Sequence, residues 1–183
     1  MAKVRKNMAM QGLTGMLGDQ FLVRTDKAGR TIVGSRPTFK DNHAFSAVQV
    51  THQEAFRDAT TYAKGAKGLE VYVKKAAGTP LNAYNVAVGD WLNPPEVKEV
   101  DMSAWDGTAG KTIRVLAVDD VQVAQVEVSI LDARGEVLEH GPAAAAEGAW
   151  WTYTTTADGD NAAQVTAVAR DLPGHTGQKT LQV

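Results

Sequence analysis

The sequence predicts an α+β amino-terminal region, a β-hairpin with two or three helices, followed by an all-β sandwich. Three observations carry this. Between residues 51 and 92 the apolar residues recur at helical spacing; from Glu96 onward they alternate as in half-buried strands; and the change of period coincides with Asn93-Pro94-Pro95. The residue before a proline avoids helical geometry, so this tripeptide stops the last helix and marks the domain boundary. The organisation expected is an arm at 1–18, a basic α+β region at 19–95 and an acidic sandwich at 96–183.

Residues 1–18 are basic and glycine-spaced, with Gly12, Gly15 and Gly18 at intervals of three. They read as a flexible arm, or as one that becomes ordered by adding a strand to a neighbour. Residues 19–25 and 30–35 flank Asp26-Lys27-Ala28-Gly29 as a hairpin, with Phe21 and Val23 on one face and Ile32 expected to pair with them. A two-stranded hairpin is marginal in water, so it needs something to pack on.

Thr51-His52-Gln53-Glu54 fits a capping box opening a helix whose stripe is Ala55, Phe56, Ala59, Tyr62, Ala63 and Ala66, ended by Gly65 or Gly68. Leu69 to Ala76 fits either period, with helix favoured. Thr79-Pro80 reads as an N-cap and first helical residue, leading into a stripe of Leu81, Tyr84, Val88, Trp91 and Leu92. Seven strands are expected after the prolines, at 97–102, 111–118, 123–132, 136–140, 149–156, 163–171 and 179–183, separated by turns such as Asp132-Ala133-Arg134-Gly135. On the fifth, alternation sets Trp151 and Tyr153 on one face and Trp150 on the other.

The runs IRVLAVDDVQVAQVEVSILDARGEVLEHG, AWWTYTTT and QVTAVARDLPGHTG resemble the bacterial immunoglobulin-like (Ig-like) domains found as repeats or appendages in surface proteins, adhesins and polysaccharide-degrading enzymes. The resemblance rests on Ala117-Val118-Asp119-Asp120, on the valine-rich strand 126–130, and on Ala169-Arg170-Asp171-Leu172-Pro173-Gly174. It covers about residues 112–183 and implies an Ig-like sandwich; its motifs are turn and core signatures without catalytic residues.

Composition narrows the chemistry. Among 183 residues there is no cysteine, which excludes disulfides and thiolate sites. His43, His52, His140 and His175 show no zinc spacing, and GLTGMLGD lacks the lysine and hydroxyl residue of a phosphate-binding loop. Asp119 and Asp120, with Asp158, Asp160 or Asp171, are the candidates for calcium, set against the commoner role of aspartate in turns. No enzyme activity, cofactor, metal or nucleic-acid partner is expected. Trp150 is the candidate for glycan or protein recognition, the alternative function being an Ig-like binding module.

Charge is divided. Residues 1–90 hold 13 Lys plus Arg against 7 Asp plus Glu, and residues 91–183 hold 6 against 14, so a half at +6 faces a half at -8. Either the halves pack within one molecule or the basic half of one subunit meets the acidic half of the next. The leading expectation is a non-catalytic structural protein, a homo-oligomer assembling head to tail into a fibre, tube or similar filament. Its interaction residues are Gly12, Gly15, Gly18, Phe21, Val23, Ile32 and Trp150. No apolar leader follows Lys3, Arg5 and Lys6, and no run approaches the about 18 apolar residues of a membrane span, so the chain is expected to be cytoplasmic as synthesised. An extracellular or particle-associated assembly is its other expected destination.

Overall fold

A computed structural model describes residues 2–4, 13–36 and 44–183. Over these residues the chain forms three helices and antiparallel sheets. The first sheet contains β1 (Ala2–Val4), β2 (Gly15–Leu17), β3 (Phe21–Thr25) and β4 (Thr31–Ser35), in the order β1-β4-β3-β2. Asp26 closes the β3–β4 turn: its carboxylate accepts the N–H groups of Ala28 and Arg30 at 3.0 and 2.9 Å and the Arg30 guanidinium at 2.6 Å. The backbone N–H of Arg30 is the main reason this carboxyl stays below its ordinary range.

Helix α1 (Ala47–Ala66) begins one turn earlier than expected. The pattern S-x-x-Q at Ser46 and Gln49 meets the same capping requirement as Thr51 and Glu54, and it is the one used: the Ser46 hydroxyl accepts from Gln49 N–H and the Gln49 side chain accepts from Ser46 N–H. Thr51 lies inside the helix, its hydroxyl donating to the Ala47 carbonyl. Ala59, Ala63 and Ala66 are buried as the stripe requires, whereas Phe56 is exposed; the helix passes through Gly65 and ends at Lys67. The ambiguous segment is helix α2 (Glu70–Ala76), which buries Tyr72.

Helix α3 (Ala83–Leu92) also corrects the expected start. Asn82 caps it, accepting from Asn85 N–H at 2.7 Å, while Thr79 belongs to the preceding turn and donates to the Ala76 carbonyl. The buried face is Val86, Ala87 and Asp90, whereas of the expected stripe Tyr84, Val88 and Trp91 are partly buried and Leu81 and Leu92 are exposed. Asn93 leaves helical geometry ahead of the two prolines, as the sequence implies.

After the prolines come β5 (Glu96–Asp101), β6 (Thr112–Val118), β7 (Val123–Asp132), β8 (Val137–Pro142), β9 (Ala144–Ala145), β10 (Trp150–Thr154), β11 (Ala162–Asp171) and β12 (Thr176–Gln182). Each expected strand is present within a few residues of its expected ends; the two-residue β9 is additional. The strands form two sheets, β5-β6-β10-β9 and β12-β11-β7-β8, whose inner residues meet in one core. Ile113, Val115 and Ala117 of β6, Val126, Val128 and Ile130 of β7, and Val165, Ala167 and Ala169 of β11 are all buried, so strict alternation sends every second side chain inward. Full burial of each valine or isoleucine stabilises the fold by roughly 1.5–3 kcal/mol. Among the described residues no helix is long and apolar enough to cross a membrane.

Where β8 passes to β9 the chain crosses from one sheet to the other, and Glu139 fastens the crossing. Its carboxylate accepts from the Tyr153 hydroxyl at 2.8 Å, from Thr156 N–H and hydroxyl at 2.6 and 2.8 Å, and from Ala157 N–H at 3.4 Å. Burial works to raise the Glu139 carboxyl, but the hydrogen bonds from Thr156 and Tyr153 outweigh it and hold the group below its ordinary value. Burial and the adjacent carboxylate push the Tyr153 hydroxyl up to about 12. Because the folded Glu139 value is depressed, its stabilisation is present above the unfolded value and is lost as pH falls through the folded one. Glu139→Ala, which strands several donors, is expected to lower stability by about 2 kcal/mol at neutral pH. Urea midpoints at pH 7 and pH 3.5 check this: the difference between wild type and variant must shrink in acid.

Candidate interaction surface and the helix-to-sheet junction

The residues expected to form the arm lie in two places. Gly12 is outside the described residues. Gly15 and Gly18 have φ of 117° and 59°, a backbone region that favours glycine, and they bracket β2, which pairs with β3 of the same chain. Ala2–Val4 pairs with β4 on the opposite edge. Over its described residues, 2–4 and 13–18, the expected arm supplies two outer strands to its own hairpin rather than staying flexible or lending a strand to a neighbour, and so enlarges a two-stranded ribbon to four strands.

Register corrects a second expectation. Thr25 pairs with Thr31 across the five-residue turn, so Val23 faces Val33 and Ile32 faces Arg24. Cross-strand partners share a face, which places Ile32 on the opposite side from Phe21 and Val23. Leu17, Phe21, Val23 and Val33 occupy one face and Met16, Leu22 and Ile32 the other. Val23 is buried, yet Met16, Leu17, Phe21 and Leu22 each remain 43–53% exposed. A small sheet with large apolar side chains open on both faces has surface that soluble monomers normally cover. Among the described residues, no hydrogen bond or ion pair joins 13–36 to 44–183.

Trp150 lies on the face of β10 opposite Tyr153, as alternation requires. It is half-buried, and the Arg114 guanidinium on neighbouring β6 sits 4.4 Å above its ring. That cation–π contact occupies one face of the indole.

Four of the five aspartates considered for calcium accept hydrogen bonds from nearby protein groups. Asp119 accepts from Val121 and Gln122 N–H at 2.8 Å, Asp120 from the Asn93 amide at 2.6 Å, Asp158 from Ala109 N–H at 2.9 Å, and Asp171 from Gly174 and His175 N–H at 2.7 and 2.6 Å. Among the described residues no three His, Asp or Glu side chains converge as a metal would require.

A buried polar cluster that sequence reasoning missed joins the helices to the two-sheet region. Asp90 on α3 is completely buried and accepts from the Tyr72 hydroxyl of α2, which in turn lies 2.7 Å from the Tyr62 hydroxyl of α1. The Trp91 ring packs at a tilt against Tyr62, centroids 5.1 Å apart, and meets the His175 ring edge-on at 4.6 Å. Val121 and Leu172, from the turns after β6 and β11, pack on the same helical core. Burial is the main reason the Asp90 carboxyl is pushed up to about 6; the Tyr72 hydrogen bond works against the shift, and the charges of Asp119 and Asp171 add to it. Burial likewise raises the Tyr72 and Tyr62 hydroxyls. The one signal in the sequence is Asp90 standing a helical turn beyond Val86, on a face otherwise apolar.

No protein-family model matches the chain, and no curated protein matches it. Among solved structures it is similar to CopC from Methylosinus trichosporium OB3b, at 20% identity and TM-score 0.35 over 48% of this chain and 89% of that one. A tetra-tandem repeat from the extending region of a large adhesion protein is matched at 20% identity and TM-score 0.31, over 49% of this chain and 23% of that one. Hypothetical protein PH1083 from Pyrococcus horikoshii OT3 follows at 10% identity and TM-score 0.33, over 52% and 92%. At these TM-scores the likenesses carry no functional inference.

Proposed function

We propose that the chain is a non-catalytic structural subunit that self-associates head to tail, the amino-terminal sheet of one copy seating on the acidic, Ig-like sandwich of the next. The carrying observation is the four-stranded amino-terminal sheet, with Met16, Leu17, Phe21 and Leu22 exposed across its two faces. Its edges, β1 and β2, also present backbone groups that another strand can pair with. The division of charge, +6 against -8, supports a contact between unlike halves, since complementary potentials steer and orient association. A contact between two different surfaces propagates unless its rotation closes a ring. Recognition of a glycan or partner protein by an Ig-like module is the lesser reading, because Arg114 covers Trp150.

Negative-stain electron microscopy of the purified chain tests the proposal. Fibres, tubes or rings with one repeating unit are expected; a field devoid of ordered assemblies at every concentration and salt condition would sink it.

A further inference from the structure

Five buried side-chain atoms among the described residues lack a hydrogen-bond partner, and four of them sit where the helices meet the two-sheet region: Asp90 Oδ1, Asp119 Oδ1, Asp171 Oδ2 and His175 Nδ1. Leaving buried polar atoms unpaired is costly, and four in one junction call for a common explanation. Two of them are already neighbours. Asp171 Oδ2 and His175 Nδ1 lie 3.3 Å apart without the alignment of a hydrogen bond, so a small rotation of the imidazole with hydrogen on Nδ1 pairs them.

The other two are both carboxylate oxygens, and acceptors do not pair with each other. Asp120 and Val121, next to Asp119, are held against α3: Asn93 donates to Asp120, and Val121 packs into the core formed by Val86 and Ala87. Asp90 lies on this same buried face of α3, and both the charge of Asp119 and a hydrogen-bond interaction with its side chain favour the protonated form of Asp90. We propose that Asp90 carries a proton shared with Asp119, and that this carboxyl–carboxylate pair latches the three helices to the end of the two-sheet region.

The surroundings support a neutral Asp90. The groups facing the junction are Tyr72 from α2, Tyr62 from α1, Asp119 from the β6–β7 turn, Asp171 from the end of β11 and His175 from the β11–β12 turn. Lys75 and Asp120 line the outer cavity beside Val86 and Val121; among the groups that act on the Asp90 carboxyl there is no lysine or arginine. An ionised Asp90 would be a third carboxylate charge in the junction, beside Asp119 and Asp171, with no partner for Oδ1. A shared proton satisfies Oδ1 and Asp119 Oδ1 together and leaves Oδ2 for the Tyr72 hydroxyl.

The latch makes docking of the helices pH-dependent. Below about pH 4 the carboxyl is protonated whether docked or released, and docking loses nothing to ionisation. As pH rises toward 6 the released form ionises first, so docking weakens; above the docked value of about 6 the loss is constant. This is opposite in sign to the depressed carboxyls Asp26, Asp101, Asp106 and Glu139, which favour the fold as pH rises. The inference is independent of self-association.

Hydrogen exchange on the full chain, corrected for intrinsic rates, reads the latch through the α3 amides. Between pH 4 and pH 7 their opening equilibrium is expected to rise about 50-fold in the wild type. In Asp90→Asn, which donates a hydrogen bond at every pH, it should change by less than about threefold. A flat wild-type profile, or a pH dependence that survives in Asp90→Asn, overturns the proposal. Should Asp90→Asn fail to fold, carbon-13 titration of the wild-type Asp90 carboxyl decides: a midpoint above about 5 supports the shared proton, and one at or below about 5 overturns it.

Discussion

Gly177→Ala is expected to lower the stability of the two-sheet region by about 3 kcal/mol, a large effect for one methyl group. Strand β12 runs beside β5, and a Cβ built on Gly177 would overlap the Pro95 carbonyl oxygen, lie 2.9 Å from the Pro95 carbonyl carbon and lie 3.4 Å from Glu96 Cα. All three neighbours are backbone. They follow two consecutive prolines whose φ is locked by the ring, so this stretch has little freedom to withdraw. Two residues on, the Lys179 ammonium donates to the Lys98 carbonyl and holds the strands together. Gly65→Ala is the matched control. Outside the neighbouring backbone of its own helix no atom lies within 4 Å of its added Cβ, and replacing glycine inside α1 should stabilise the helix by about 0.5–1 kcal/mol. Urea midpoints of the two variants should move in opposite directions; an unchanged midpoint for Gly177→Ala would mean that β12 does not approach Pro95 this closely.

Deleting residues 1–18 should abolish assembly while leaving the two-sheet region folded. The deletion removes both β1 and β2 and reduces the amino-terminal sheet to the hairpin β3–β4. An isolated hairpin is at best marginally stable, so the loss extends beyond the missing strands to the surface that Phe21 and Leu22 present. Association should weaken at least about 100-fold, equivalent to about 3 kcal/mol. The core built from Val115, Val128 and Val165 contains nothing from the deleted segment, so its unfolding midpoint should be unaffected. Sedimentation velocity with parallel urea titrations separates these outcomes. Assembly unchanged after the deletion would remove the amino-terminal sheet from the interface.

Much of the carboxyl-terminal half was legible in the sequence because a strand with one face in a core must alternate. The runs around Ile113, Val126 and Val165 do so without interruption, and the turns between them carry Asp119, Asp132 and Asp171 where those side chains accept backbone N–H groups. Helix starts were less legible, because capping patterns are short and recur: Ser46 stands one turn before Thr51, and Asn82 three residues after Thr79. The outer strands were hidden for a different reason. Gly15 and Gly18 give β2 little side-chain pattern, and only pairing with β3 defines it. Asp90 was illegible as a partner of Tyr72 and Asp119. An isolated aspartate on a helix normally faces water, and contacts that span 18 residues or more leave no local spacing to read.

The division of charge was visible, but its meaning depends on where the apolar surface lies. Exposed side chains at Met16, Leu17, Phe21 and Leu22 put that surface on the basic half. The acidic half carries the well-packed core.

Light scattering on the purified full chain, across a concentration series, tests head-to-tail self-association most directly. The proposal predicts a mass that climbs with concentration through multiples of 19.5 kDa and falls back in high salt; a mass fixed at 19.5 kDa throughout would contradict it.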